Sequence, residues 1–281
     1  MADLLGTEAA KELQENIKKE LETFEGRTPC LGIVRVGERP DDLAYEKSAV
    51  KRMEGLGMNV RKFTFPADVT DAEFKESFRH INNDPEINGI LMFSPLPKSI
   101  DEKGVLAMMN PEKDIDGLTH VNQALVYCGE PEGIAPCTAE AVIKLLDFAG
   151  IELRGKRVTV VGRGKVIGRP VSVLLTGRDA TVTLCHSKTV NLREECKKAE
   201  ILVVAIGQAR MIDASYVSEG TVVIDVGINV DEDGNLCGDV DHESVSEVAS
   251  LITPVPRGVG SVTTTVLAEH LLRAAKGGSR V

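Results

Sequence analysis

Residues 160 to 170 read VVGRGKVIGRP: two valines run into three glycines, followed by a basic residue and a proline. A glycine-rich turn that leaves a strand and opens a helix can bind an anion. Gly162 and Gly164 let the main chain approach closely, and the amides at the helix start face the phosphate. The spacing G-x-G-x-x-x-G is one residue longer than the common dinucleotide fingerprint, so it also fits a plain strand-to-helix turn. About 20 residues after the first glycine, a dinucleotide fold places the group that reads the ribose. Here the sequence has CHSKT (185 to 189), with no carboxylate. Ser187 and Lys188 stand in that place, and Arg163 lies inside the glycine loop. A guanidinium suits bidentate phosphate contact, so the pattern points to the pyrophosphate and, through Arg163, the 2′-phosphate of NADP. His186 and Lys188 read equally well as solvated loop residues.

Elements with the right order must position this loop. LGIVRVG (31 to 37), NVRKFTF (59 to 65) and INGILMF (87 to 93) have the apolar content of strands. Between them, 42 to 57 has helical spacing, and DVTDAEFKESFRHINN offers a capped helix. A second series follows a loop-rich stretch: KRVTVVG, ATVTLC, ILVVAIG and TVVIDVGIN are β-branched and each ends in turn residues. The glycine loop follows the strand at 157 to 161 and precedes a helix expected to begin near Pro170. Strands alternating with helices predict an α/β protein of two domains built on parallel strands.

Composition narrows the partners. The chain has 281 residues, 42% hydrophobic and 27% charged, with a net charge of -10. That is the balance of an ordinary soluble protein. The negative charge disfavours nucleic acid and anionic membrane surfaces and favours a small-molecule substrate. No stretch approaches the roughly 20 apolar residues of a membrane span, and the charged N-terminus lacks the apolar core of a signal peptide. Cys30, Cys128, Cys137, Cys185, Cys196 and Cys237 show neither a C-x-x-C pair nor a histidine at metal-ligand spacing. They are expected to be buried free thiols with no metal, in a cytoplasmic protein.

VGERPDDLAY, PLPKSID, NPEKDIDGL, PCTAEAV, VVGRGKVIGRP, CHSKT, GINVDEDGNLCGDV and TPVPRGVGSVT together span nearly the whole chain. In these segments the sequence resembles the methylenetetrahydrofolate dehydrogenase/cyclohydrolase family of folate one-carbon metabolism. The resemblance implies a homodimer. Each subunit would carry a folate-binding catalytic domain (1–122 plus 262–281) and a Rossmann-like NADP-binding domain (123–261), with a cleft between them. It also implies NADP contacts from Gly162, Arg163, Gly164, Gly168, Ser187 and Ile228. On the folate side it implies Tyr45 stacking on the pterin and aminobenzoate region, Asp116 accepting from the pterin, and Phe93, Pro256, Gly258 and Gly260 lining the substrate. A carboxylate suits a donor-rich heterocycle edge; apart from the resemblance, Asp116 reads as a turn residue before Gly117.

Departures from the family pattern cluster on the folate side. Ala49 stands where the family has a lysine four residues after the tyrosine, and Phe93 stands where it has a glutamine. Asp42 replaces a common serine, Arg257 a usual glycine, and Ser261 and Val262 the usual proline and methionine. At about 100° per residue from Tyr45, Lys47 and Lys51 point away from the tyrosine's helix face, and Arg52 returns to it roughly 10 Å along the axis. The expected activity is therefore NADP-dependent oxidation of 5,10-methylenetetrahydrofolate, with the hydrolytic step absent or very weak. The alternatives are a fully bifunctional enzyme using another base, and a folate or nucleotide binder without catalysis.

Overall fold

The computed structural model describes residues 2 to 277; Met1 and residues 278 to 281, the end of the expected 262–281 segment, lie outside the described residues. The chain begins β1 (Ala2–Asp3), α1 (Gly6–Glu22), β2 (Cys30–Val36), α2 (Pro40–Gly55), β3 (Asn59–Phe65), α3 (Asp71–Asn83), β4 (Gly89–Met92), α4 (Glu102–Met108), α5 (His120–Cys128) and α6 (Cys137–Phe148). It continues β5 (Arg157–Val161), α7 (Gly168–Gly177), β6 (Thr181–Cys185), α8 (Leu192–Lys197), β7 (Ile201–Val204), β8 (Val222–Asp225), β9 (Asn229–Val230), β10 (Leu236–Cys237), α9 (His242–Ser246), β11 (Leu251–Ile252) and α10 (Val259–Ala275).

Two compact units result. The first holds residues 13–137 and the stretch from Thr264 onward; the second holds the stretch to Glu12 and residues 138–263. Residues 123 to 137 fall in the first unit for a physical reason. Ile134 N donates to Asn122 Oδ1 at 3.3 Å, and the Arg273 guanidinium donates to Pro131 O at 2.7 Å.

In the first unit, β2 is the middle strand of a parallel sheet ordered β3-β2-β4. β2 and β4 are buried throughout, as strands between covering layers should be, while β3 at the edge is exposed or half-buried along its length. Phe74 and Phe78 of α3 pack with Val34, Ile90 and Met92 in the core below. Thr70 and Glu73 close a capping box that starts α3. α2 starts with proline in its first turn and buries Asp42, Glu46, Ala49 and Met53, spaced as one helix face. An ion pair fixes that face: Arg35 Nε of β2 lies 2.7 Å from Glu46 Oε2, and Lys62 Nζ of β3 lies 3.0 Å from Oε1.

The second unit is a six-stranded parallel sheet ordered β1-β11-β8-β7-β5-β6. From β5 the chain steps outward to β6, then returns to place β7 on the other side. The strand order reverses at the β5/β7 boundary, and in open α/β sheets that reversal marks the crevice that receives a ligand. β5, β7 and β8 bury nearly every residue. β9 and β10 form a separate antiparallel hairpin. Among the described residues, no helix is long and apolar enough to cross a membrane.

Candidate functional site

The glycine loop leaves β5 at the switch point, as its sequence context demands. Gly162 has φ +121°, and a Cβ there would lie 2.0 Å from Ala205 O in the segment after β7, so only glycine fits. Its amide donates to Cys185 O at 3.0 Å. The following helix, α7, begins at Gly168, two residues before Pro170. A Cβ on Gly168 would come within 1.9 Å of Gly162 O. Gly162 and Gly168 thus serve the tightness of the loop itself, whereas Gly164 is exposed with open space around it.

Arg163 projects from this loop, exposed. Ser187 is exposed in the turn after β6, where Lys188 N donates to His186 Nδ1 at 3.1 Å and His186 N donates to Thr189 Oγ1 at 2.8 Å. His186 is therefore occupied with closing the turn. Ile228, after β8, is 65% exposed, which is costly for an apolar side chain without a partner. The structure brings Gly260 beside it: a Cβ on Gly260 would lie 3.7 Å from Ile228 Cδ1. Pro256 and Gly258 sit in the turn before α10. There a Cβ on Gly258 would meet Pro254 O at 2.4 Å, and Arg257 holds φ +79°.

In the first unit, Tyr45 is half-buried on α2, and its ring meets Phe93 edge-on with centroids 5.8 Å apart. Phe93 follows β4, its amide bonded to Val34 O at 3.1 Å. Ala49, one turn beyond Tyr45, is fully buried. Lys47 and Lys51 are exposed, as the helical angles predict, and half-buried Arg52 donates to Thr264 Oγ1 at 3.4 Å. Burial pushes the Tyr45 hydroxyl well above its ordinary value, and the nearby Asp116 carboxylate adds to the shift.

Asp116 is half-buried in a turn that Asp114 builds. Buried Asp114 accepts from Leu118 N at 3.0 Å, Thr119 N at 2.8 Å, Thr119 Oγ1 at 2.7 Å and Asn122 Nδ2 at 2.9 Å. Gly117 holds φ +63°, with space for no Cβ: one would lie 2.4 Å from Ile134 O. The first aspartate of DID thus makes the turn, and the second takes no part in the hydrogen bonds that close it. Asp116 Oδ1 accepts from Cys137 N at 3.1 Å. Burial raises its carboxyl above the usual range, and hydrogen bonds from the Cys137 amide and thiol moderate the rise. Cys137 Sγ also lies 3.3 Å from Ile115 O, with His270 Nδ1 2.9 Å from the same oxygen and 3.6 Å from the sulfur.

Sequence reasoning assigned no role to Cys137 or His270. PCT marks Cys137, but nothing local marks His270, which lies 155 residues from its carbonyl partner. The cysteine expectation needs one correction: all six thiols are free, yet Cys128 is exposed, because it occupies the outward face of the last turn of α5. Among the described residues, no group of three or more His, Cys, Asp or Glu side chains could hold a metal ion.

Residues 4–116 match the tetrahydrofolate dehydrogenase/cyclohydrolase catalytic domain, and residues 136–278 match the NAD(P)-binding domain of the same enzymes. The chain belongs to the tetrahydrofolate dehydrogenase/cyclohydrolase family. It is 47% identical over 273 residues to the bifunctional protein FolD of Clostridioides difficile (strain 630), covering 96% of this chain and 95% of that one. It is 46% identical over 277 residues to the FolD protein of Carboxydothermus hydrogenoformans, covering 97% and 96%. The Campylobacter jejuni FolD crystal structure superposes with a TM-score of 0.93 at 34% identity, covering 99% of each chain. The Trypanosoma brucei FolD, solved with NADP and an inhibitor, also gives 0.93 at 34% identity, covering 100% of this chain and 99% of that one.

Proposed function

We propose that the protein oxidises 5,10-methylenetetrahydrofolate to 5,10-methenyltetrahydrofolate with NADP in one-carbon metabolism, and that hydrolysis of the methenyl product is absent or very weak. The observation that carries this reading is the pair Ala49 and Phe93: one is fully buried, the other edge-on to Tyr45, and neither has a proton to give or take. NADP, when bound, supplies the hydride acceptor. The residues fit such a nucleotide: a glycine turn at the strand-order reversal, an exposed Arg163 guanidinium for a 2′-phosphate, and an exposed Ser187 hydroxyl.

On the folate side, Tyr45 offers a ring to stack on, and its raised hydroxyl stays protonated. Asp116 offers an acceptor to the amino and amide hydrogens of a pterin. The folate nitrogen's own lone pair drives hydride loss, so orientation suffices for that step. Hydrolysis of the methenyl cation needs an activated water and a proton for the departing nitrogen. A titrating group in reach typically supplies about 10² to 10⁴ in rate.

A second reading, full bifunctionality through another base, is favoured by Asp42. Its side chain is buried on the same face of α2 as Ala49, and burial raises its carboxyl despite Arg39 3.7 Å away. One experiment separates the two: methenyltetrahydrofolate is supplied and its decay is followed against buffer alone. The proposal expects the buffer rate. Fast decay that Asp42→Asn abolishes supports the second reading. Reduction of NADP with methylenetetrahydrofolate tests the oxidation itself, and its absence would leave only a binding protein. The homodimer and the cytoplasmic location belong to the same proposal, the former testable by sedimentation equilibrium.

A further inference from the structure

Two carboxylates with no part in the site above lie deep in the second unit. Asp225 ends β8 and is 3% exposed; Asp239, two residues past β10, is 0% exposed. A buried carboxylate is expensive unless its oxygens are met by donors. Asp239 is met by four. Its Oδ2 accepts from Ile206 N at 2.6 Å and Gly207 N at 3.0 Å, and its Oδ1 accepts from Gln208 N at 2.8 Å and Asn229 Nδ2 at 2.9 Å. Three successive amides converge on it, with Gly207 at φ +68°: an anion nest whose anion is the protein's own side chain.

Asp225 in turn holds Asp239. Its Oδ1 accepts from Asp239 N at 3.1 Å and Gly227 N at 3.0 Å, and its Oδ2 accepts from Val240 N at 2.9 Å. The surrounding glycines make room for the pair. A Cβ on Gly227 would sit 2.2 Å from Asp239 Cγ, and one on Gly238 would sit 1.8 Å from Asp225 Oδ2.

What the nest fixes is the segment after β7, one wall of the β5/β7 switch point. Ala205 N donates to Val161 O at 2.8 Å, and Ala205 O is the atom that forbids a Cβ on Gly162. Asn229, the fourth donor, directly follows Ile228. One carboxylate therefore ties the segment after β7, which abuts the glycine loop, to the segment after β8.

We propose that Asp239, held in place by Asp225, is a positioning residue for the nicotinamide cofactor, setting the 205–208 segment and Ile228 against the glycine loop. This rests on reading that loop as the NADP site. Burial first, and then the charge of Asp239, push the Asp225 carboxyl up to about 7, against the opposing effect of its three backbone hydrogen bonds. The charged group facing Asp225 is Asp239; Thr253, past β11, brings a hydroxyl to its backbone, and residues 227, 239 and 240 bring amides.

The test is NADP titration by calorimetry on the full chain, with Michaelis constants for both substrates. Asp239→Asn puts an amide donor among converging N–H groups. It should raise the NADP Kd and KM about tenfold or more, with the folate KM held. Asn229→Ala, which removes one of the four donors and leaves the three backbone amides, should raise them roughly threefold. Asp225→Asn, which keeps the shape but puts amide hydrogens among the same backbone donors, should raise them as well. Folded variants that bind NADP as tightly as the parent, or that lose both KM values and kcat in parallel, would overturn the inference. If the unaltered protein binds no NADP, the cofactor reading falls and takes this inference with it.

Discussion

Tyr45 and Phe93 meet edge to face, their ring planes 75° apart and their centroids at 5.8 Å. Such a pair contributes about 0.5 to 1.5 kcal/mol beyond its buried area. It fixes the tyrosine ring on α2 through a neighbour that can neither donate nor accept a hydrogen bond. A glutamine at 93 would surrender that contact and place a polar amide beside the hydroxyl.

Hydrolytic activity should therefore be gained by changing two residues at once. Ala49→Lys with Phe93→Gln should accelerate methenyltetrahydrofolate decay by about 10² or more over the parent. The gain has a cost in stability, because Ala49 has no exposed surface and a long side chain must push neighbours aside, at about 1 to 3 kcal/mol. A folded double variant whose decay matches buffer would refute the assignment of those positions.

Cofactor choice should depend on Arg163. Arg163→Ala should raise the KM for NADP by the equivalent of about 1.5 to 3 kcal/mol, the loss of a charged hydrogen bond, and leave that for NAD nearly unchanged. Equal effects on both cofactors would show that the guanidinium does not read the 2′-phosphate.

Folate affinity should depend on pH through Asp116. Burial holds this carboxyl above the ordinary carboxylate range, so it takes up its proton at a higher pH than a surface aspartate. The ionised form accepts from the pterin, so binding should weaken as pH falls through that raised value and recover above it. Asp116→Asn should bind folate more weakly at every pH, with the pH dependence gone and NADP binding nearly untouched. Calorimetry across acidic to neutral buffers checks both; a pH-independent parent would contradict the role.

Stability should rise on Arg257→Gly. Arg257 sits at φ +79°, a left-handed conformation costing a residue with a Cβ about 1 to 2 kcal/mol. Glycine gives back about 0.5 to 1 kcal/mol in unfolded-chain entropy, leaving a net gain of roughly 0.5 to 1 kcal/mol. Thermal unfolding should shift upward by ~1 to 3 °C. A lower midpoint would mean the arginine makes a compensating contact.

The long elements were legible because burial imprints a period. NVRKFTF is β3 residue for residue, the run at 31 to 37 overlaps β2 displaced by one position, and the run at 87 to 93 contains β4. β1 and β11 have two residues each, too few to show any period, yet they complete the six-stranded sheet. TVVIDVGIN reads as one strand but breaks after Asp225, since that side chain turns back to collect the amides of Gly227, Asp239 and Val240. On the candidate site, the glycine loop was readable because strand, turn and helix are contiguous. His270 and Asp239 were not, because most of their partners are backbone groups far along the chain, which side-chain spacing does not encode.

The uneven burial of the cysteines partitions the protein's reactivity toward electrophiles. Cys128 stands at the end of α5 in contact with solvent, while Cys30, Cys137, Cys185, Cys196 and Cys237 are enclosed, and burial drives the Cys196 thiol up to about 12. A maleimide dye added to the native protein should accordingly attach at one place, and the remaining thiols become targets only when the chain opens. The fold thus carries its own addressable anchor for a fluorophore and, in the five enclosed thiols, an internal clock for unfolding.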